Sequence, residues 1–147
     1  ETASMASSGF KHLQLKSDLL RAIIDLRFDY PSKGSITLQE ECLPQLMLGK
    51  NLICQSELGS GKTSLYVMAT LNQLEGDGGQ VIVLSPSREM AEGINKQYEI
   101  FSKYLEIKTG FFCDDSLSNL NGSSLKSVSR QIIIGTPGRI LSLIQSG

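Results

Sequence analysis

The sequence predicts an α/β fold, a mainly parallel sheet with helices on both faces, and three observations carry the prediction. Short runs rich in β-branched or apolar residues recur at 51–55 (NLICQ), 80–86 (QVIVLSP), 107–113 (IKTGFFC) and 131–135 (QIIIG). Amphipathic stretches separate or precede them, and strands alternating with helices pair in parallel through crossovers. Finally, a Gly-Ser-Gly-Lys-Thr turn at 59–63 and helix starts after the second and fourth runs stand at strand ends. Ligands of open parallel sheets collect there.

Each element has its own signal. Residues 17–28, SDLLRAIIDLRF, place Leu19, Leu20, Ile23, Ile24 and Leu26 at helical spacing. Thr37 and Glu40 form a Thr-x-x-Glu capping box that opens a second helix, TLQEECLPQLML. The stretch KTSLYVMATLNQLE starts at the phosphate-type turn and stops at Gly-Asp-Gly-Gly. SREMAEGINKQYEIFSKYL is the longest helical segment, and PGRILSLIQSG carries proline at its first turn, where a missing amide is tolerated. SKGSIT at 32–37 and SLSNLNGSSLKS at 116–127 are polar loop material, the second with room for a short helix. The opening ETASMASS, residues 1–8, reads as vector-derived or disordered. Residues 9–50 form an N-terminal helical segment, and 51–147 the nucleotide-binding part proper.

Composition narrows the function. With 147 residues the chain is one domain, and 14 basic against 15 acidic side chains give a net charge of -1. A broad basic surface that grips nucleic acid by charge alone is excluded; a local patch is not. No apolar stretch approaches the length of a membrane span, and no secretory signal is visible. Cys42, Cys54 and Cys113 lack metal-ligand spacing and read as reduced, mostly buried thiols of an intracellular protein. His12, the single histidine, is a surface or packing residue.

The strongest chemical signal is the turn after NLICQ. Glycine lets backbone amides converge on phosphate oxygens without a Cβ in the way, so Gly59 and Gly61 flanking Ser60 make a cradle. The helix starting near Lys62 presents its positive dipole end to the same place. Lys62 is positioned to reach β- and γ-phosphates, and the Thr63 hydroxyl to ligate Mg²⁺. The bland alternative is an ordinary Gly-Ser turn before Lys-Thr.

Together with the flanking runs, this loop resembles the first RecA-like domain of the DEAD-box RNA helicases, over nearly all of residues 9–147. That family writes the loop Ala-x-(Ser/Thr)-Gly-x-Gly-Lys-Thr; here Ser56 stands for the alanine and Leu58 for the hydroxyl residue. The resemblance implies ATP and Mg²⁺ as cofactors. It implies adenine reading by Gln39, since an amide both donates and accepts as adenine N6 and N7 require. Gln39 follows the recognisable Phe28, Pro31 and Ser32, and Phe10, 17 residues before Arg27, matches the family's lone aromatic. Taken alone, Gln39 is a first-turn helix residue.

Pro86-Ser87-Arg88-Glu89-Met90 resembles the family's Pro-Thr-Arg-Glu-Leu, and Thr136-Pro137-Gly138-Arg139 repeats its Thr-Pro-Gly-Arg unchanged. Both imply grip on RNA phosphates, independent of base sequence. Their bland readings are a helix start with a surface ion pair and a proline-started helix with a solvated arginine. The runs GFKHLQLKSDLLRAI, Glu-Cys-Leu-Pro-Gln and YEIFSKYL resemble the mRNA-splicing and export subgroup. That points to mRNA processing and the nucleus, with the cytoplasm as alternative.

Three departures qualify the resemblance. Pro31 and Gln39 are 8 positions apart, where the family has about four, so KGSI is extra. Cys113-Asp114-Asp115 follows Phe111-Phe112 where the family has Gly-Gly, setting two carboxylates where RNA phosphates approach. The chain also reaches Gly147 without an Asp-Glu-Ala-Asp motif or a second RecA-like domain. The expectation is therefore the N-terminal part of an ATP-dependent RNA helicase that binds nucleotide and hydrolyses essentially none, because phosphoryl transfer depends on the missing parts. A degenerate helicase-like scaffold for RNA or protein is the alternative. Protein partners are expected, and an open sheet edge predicts self-association. A phosphate-loop kinase or GTPase unrelated to RNA ranks last.

Overall fold

The computed structural model describes residues 10, 13–26, 36–76, 80–113 and 130–146. The expectations that fall on His12, Phe28, Pro31, Ser32, residues 33–35 of the KGSI insertion, Asp114, Asp115 and the loop at 116–127 lie outside them. The chain divides into two compact units, one of residues 1–73 with 100–105, the other of 74–99 with 106–147.

The first unit holds helices α1 (Ser17–Asp25), α2 (Ile36–Met47) and α3 (Lys62–Gln73). Helix α1 buries Leu19, Ala22 and Ile23 and leaves Ile24 and Leu26 exposed, so its stripe is narrower than the sequence suggested. It is tied to α3 by the Lys16 amide, which donates to Asn72 Oδ1 at 2.7 Å. Helix α2 begins one residue before the expected capping threonine, so Thr37 stands within its first turn rather than at the cap. Pro44 lies inside α2, with Leu43 fully buried beside it. Helix α3 is the core of this unit: Leu65, Val67, Met68, Ala69 and Leu71 are all essentially inaccessible. The Gln73 side-chain amide donates to the Leu46 carbonyl and joins the ends of α2 and α3. A clasp closes residues 102–105 over α1. The Tyr104 hydroxyl bonds Asp25, Lys103 Nζ lies 3.6 Å from the same carboxylate, and the Arg21 guanidinium sits 4.1 Å from the Tyr104 ring centroid.

The second unit is a three-stranded parallel sheet in the order β1–β3–β2, with β1 Val81–Leu84, β2 Thr109–Phe112 and β3 Ile132–Gly135. Val81 and Thr109 both pair with Ile132, and Leu84 and Phe112 both pair with Gly135. Helix α4 (Arg88–Phe101) follows β1, and α5 (Pro137–Gln145) follows β3. The helical stretch SREMAEGINKQYEIFSKYL thus forms, ending earlier than its sequence pattern. Tyr98 of α4 is fully buried and acts as a packing residue. Phe112, Ile140 and Leu143 pack with Ile133, which seats α5 on the sheet. Gly135 permits that approach: a Cβ there would lie 2.4 Å from the Phe112 carbonyl oxygen and 2.8 Å from Ile140 Cδ1.

One expected strand is not formed. Residues 51–55 carry no ladder among the described residues, and Ile53 is 99% exposed. An apolar run becomes a strand only where a neighbour offers hydrogen bonds, since each strand pairs its backbone with another chain segment. No described segment does so here. No helix of the described residues is long and apolar enough to cross a membrane. The three cysteines form no disulfide and are half-buried, less enclosed than the sequence suggested.

Candidate nucleotide site and strand-end motifs

The phosphate-type loop runs from Ser56 to the first turn of α3. Gly59 and Gly61 adopt φ of +80° and +87°, the left-handed region that costs a side-chain-bearing residue about 1–2 kcal/mol. The two glycines are therefore demanded by the backbone path. Lys62 folds back along the loop: its Nζ donates to the Glu57 carbonyl at 2.6 Å and the Ser56 carbonyl at 2.7 Å. It also reaches Ser56 Oγ at 3.2 Å and Ser60 Oγ at 3.3 Å, and the two serine hydroxyls bond each other. One ammonium thus meets four oxygens of its own loop. The Gly61 carbonyl accepts the Leu65 amide at 3.0 Å, so the helix grows directly out of the loop.

Gln39, from α2, lies against this loop. It is 3% exposed, and a Cβ on Gly61 would meet its Nε2 at 3.0 Å. That Nε2 is buried and has no hydrogen-bond partner. A buried donor left unmatched costs about 1–3 kcal/mol, so the position invites an acceptor from a ligand. The residue set therefore fits a nucleotide. The loop supplies a cation and converging backbone, and the amide supplies an unmatched donor next to it. Phe10 is enclosed at 5% exposure, placed as a core side chain. Thr63 is half-buried at the start of α3. Burial pushes the Tyr66 phenol up, opposed by a hydrogen bond from the Thr63 side chain.

Two participants escaped sequence reasoning. Glu57 contributes a backbone carbonyl, for which no side-chain pattern exists. Tyr66 sits three residues after Thr63, and that i, i+3 spacing was a usable sign of a shared helix face. Leu58, the unusual loop residue, is fully exposed, so it neither blocks nor lines the cradle.

The two other motifs emerge side by side in the second unit, because β1 and β3 are parallel neighbours ending in register at Leu84 and Gly135. The Ser85 amide donates to the Gly135 carbonyl at 3.0 Å, which extends the pairing one residue further. Ser87 caps α4 by accepting the Met90 amide at 3.2 Å, in the manner of an N-cap hydroxyl. The Glu89 carboxyl is held below the usual carboxylate range, chiefly by its own backbone amide and then by the Ser87 hydroxyl. Arg88 pairs with Glu92 at 3.0 Å across one exposed helical turn, which is the ion pair of its bland reading. Pro86 is exposed. Thr136 precedes α5 in an extended conformation without a side-chain cap bond, and Pro137 occupies the first turn. Pro137 and Gly138 are exposed and Arg139 is half-buried. Phosphate loop and Gln39 thus meet in the first unit, and Ser87, Arg88, Thr136 and Arg139 border one sheet end in the second.

Comparisons with known proteins bear on this arrangement. A family model described as DEAD/DEAH box helicase matches residues 36–147. The chain is 43% identical to the ATP-dependent RNA helicase WM6 of Drosophila melanogaster, covering 97% of this chain and 34% of that protein. It is 42% identical to the human ATP-dependent RNA helicase DDX39A, covering 97% and 33% respectively. The chain thus spans about a third of the length of the curated relatives it matches. Among solved structures, S. cerevisiae Dbp5 bound to RNA and ADP BeF3 superposes with a TM-score of 0.79 at 31% identity, over 92% of this chain and 34% of that one. A DEAD box protein from Methanococcus jannaschii gives 0.79 at 25% identity, over 92% and 36%. The fold is accordingly the RecA-like domain of these proteins. With the family model covering residues 36–147 and relatives more than 40% identical over 97% of its length, the chain belongs to the DEAD/DEAH box helicase family.

Proposed function

We propose that these residues are the nucleotide-binding and RNA-backbone-binding portion of an ATP-dependent RNA helicase. The observation that carries the reading is the buried, unmatched Gln39 Nε2 set against Gly61 of the phosphate loop. In this reading Gln39 presents its amide to adenine, and Phe10 is the aromatic that the family resemblance assigns to the same base. Ser56, Gly59, Ser60 and Gly61 wrap the phosphates, and Lys62 exchanges its own loop's oxygens for phosphate oxygens. Thr63 turns its hydroxyl to Mg²⁺, which would neutralise phosphate charge. The strip of Pro86, Ser87, Arg88, Thr136, Pro137, Gly138 and Arg139 holds the RNA backbone through hydroxyls, helix-start amides and guanidinium groups. The 147 residues contain no Asp-Glu-Ala-Asp run, so on their own they bind ATP without turning it over. The subgroup resemblance supports a role in mRNA processing in the nucleus, with protein partners.

The test is titration with a fluorescent ATP analogue, with and without a single-stranded RNA. Saturable binding that Lys62→Ala abolishes is expected. Equal affinity for ATP and GTP would remove Gln39 from its adenine role, and no binding at all would sink the reading.

A scaffold reading is favoured by one observation: the loop exposes Leu58 completely, and Ile53 just before it, where a nucleotide site gains nothing from apolar surface. Nucleotide-independent capture of RNA would support it. Self-association is supported by the edge strand β1, whose Ile82 and Leu84 are each 57% exposed. Sedimentation that does not change with concentration would exclude it.

A further inference from the structure

The Lys62 ammonium and the Ser60 amide, two groups that a phosphate would need, are both turned onto the loop's own oxygens. The Ser60 amide reaches the Glu57 carbonyl at 3.4 Å. The ammonium meets the Glu57 and Ser56 carbonyls at 2.6 and 2.7 Å, and the Ser56 and Ser60 hydroxyls at 3.2 and 3.3 Å. The carbonyls would be present whatever the sequence. The hydroxyls are a choice of side chain, and they also bond each other, so residue 56 is tied to residue 60 across the loop. The family's loop pattern has alanine where Ser56 stands, which can bond neither Lys62 nor Ser60. Ser56, Ser60 and Lys62 are half-buried, where such bonds are stronger than in open water.

We propose that Ser56 and Ser60 form a hydroxyl latch that holds the nucleotide-free loop closed on Lys62 and so sets how tightly a nucleotide binds. The inference rests on the nucleotide reading above and gives these two side chains a part opposite to that of their backbone. Main-chain amides wrap phosphates, while the hydroxyls hold the cation away from them. A nucleotide engages only the open loop, so its apparent affinity is the intrinsic affinity reduced by the open fraction. That factor is the same for every nucleotide that needs Lys62. The latch therefore weakens ATP and ADP alike.

The experiment titrates wild type, Ser56→Ala, Ser60→Ala and the double variant with fluorescent ATP and ADP analogues. Ser56→Ala should tighten both by about three- to tenfold, and by the same factor. Ser60→Ala removes the other half of the pair and should do likewise, so either variant decides if the other does not fold. The double variant should improve by less than the product of the two, because each hydroxyl acts through the other. Unchanged or weaker binding overturns the proposal, since the hydroxyls would then be idle or phosphate ligands. Tighter binding of ATP alone also overturns it, because that would place the hydroxyls at the third phosphate.

A readout without nucleotide separates the latch from the function it rests on. Lysines are acylated with an amine-reactive ester and mapped by mass spectrometry, and Lys62 must leave its loop oxygens before it reacts. In wild type Lys62 should label more slowly than the exposed Lys96, and in the double variant that gap should narrow. The same Lys62 rate in both chains overturns the latch. A Lys62 rate that rises in the double variant while neither chain binds nucleotide supports the latch and counts against the function proposed above.

Discussion

The Gln39 side chain approaches Gly61 so closely that a single added methyl carbon would meet Gln39 Nε2 at 3.0 Å. The amide that the family resemblance assigns to adenine is therefore also part of the wall of the phosphate loop. Its chemistry and its packing can be separated by substitution.

Gly61→Ala combines two penalties, the positive φ of +87° and the collision with Gln39. Gly59→Ala, at φ +80° with nothing within 4 Å, suffers only the first. Gly59→Ala should cost about 1–2 kcal/mol and Gly61→Ala measurably more, read from urea denaturation midpoints at constant m. Equal losses would mean Gln39 yields without cost.

Gln39→Leu removes an unmatched buried donor and keeps most of the volume. The nucleotide-free chain should be unchanged or more stable by about 1 kcal/mol, while ATP-analogue affinity falls. A thermal melt paired with a binding titration checks both halves. Loss of stability with unaltered affinity would assign Gln39 to packing alone.

The Tyr104 hydroxyl, more than the cations Lys103 and Arg21, holds the Asp25 carboxyl below its ordinary range. A carboxyl lowered by folding stabilises above its unfolded pKa, and that contribution is lost as pH falls through the folded value. Wild type should exceed Asp25→Asn in stability at neutral pH, and the two should converge as pH drops below about 4. Denaturation midpoints across that range provide the measurement. A constant gap would assign the difference to something other than the charge.

Gly135→Ala puts a Cβ into the backbone oxygen of Phe112, which cannot move aside as a flexible side chain would. A loss of about 1–3 kcal/mol or more is expected, with α5 loosened from the sheet. Hydrogen exchange at Ile140 and Leu143 should rise ahead of exchange in α3. Uniform exchange would place the strain elsewhere.

Much was legible in the chain itself. Three of the four predicted strands form, within their predicted runs, because VIVL, TGFF and IIIG are short, apolar and bounded by breakers. The helix after Gly-Ser-Gly starts at Lys62, the one after Pro-Ser starts at Arg88 behind its Ser87 cap, and the last starts at the predicted first-turn Pro137, since capping, proline and positive-φ requirements are local. The DEAD-box resemblance also rested on contiguous motifs, and the comparisons agree with it.

Tertiary structure decided what depends on a distant partner. Residues 51–55 have the composition of a strand but lack a ladder among the described residues, because pairing is a property of two segments. Whether Gln39 would face solvent or the loop depended on how α2 packs against the chain ahead of α3. Periodicity tells which face of a helix is buried. Only the packed fold tells what it is buried against, and hence which donor is left without an acceptor.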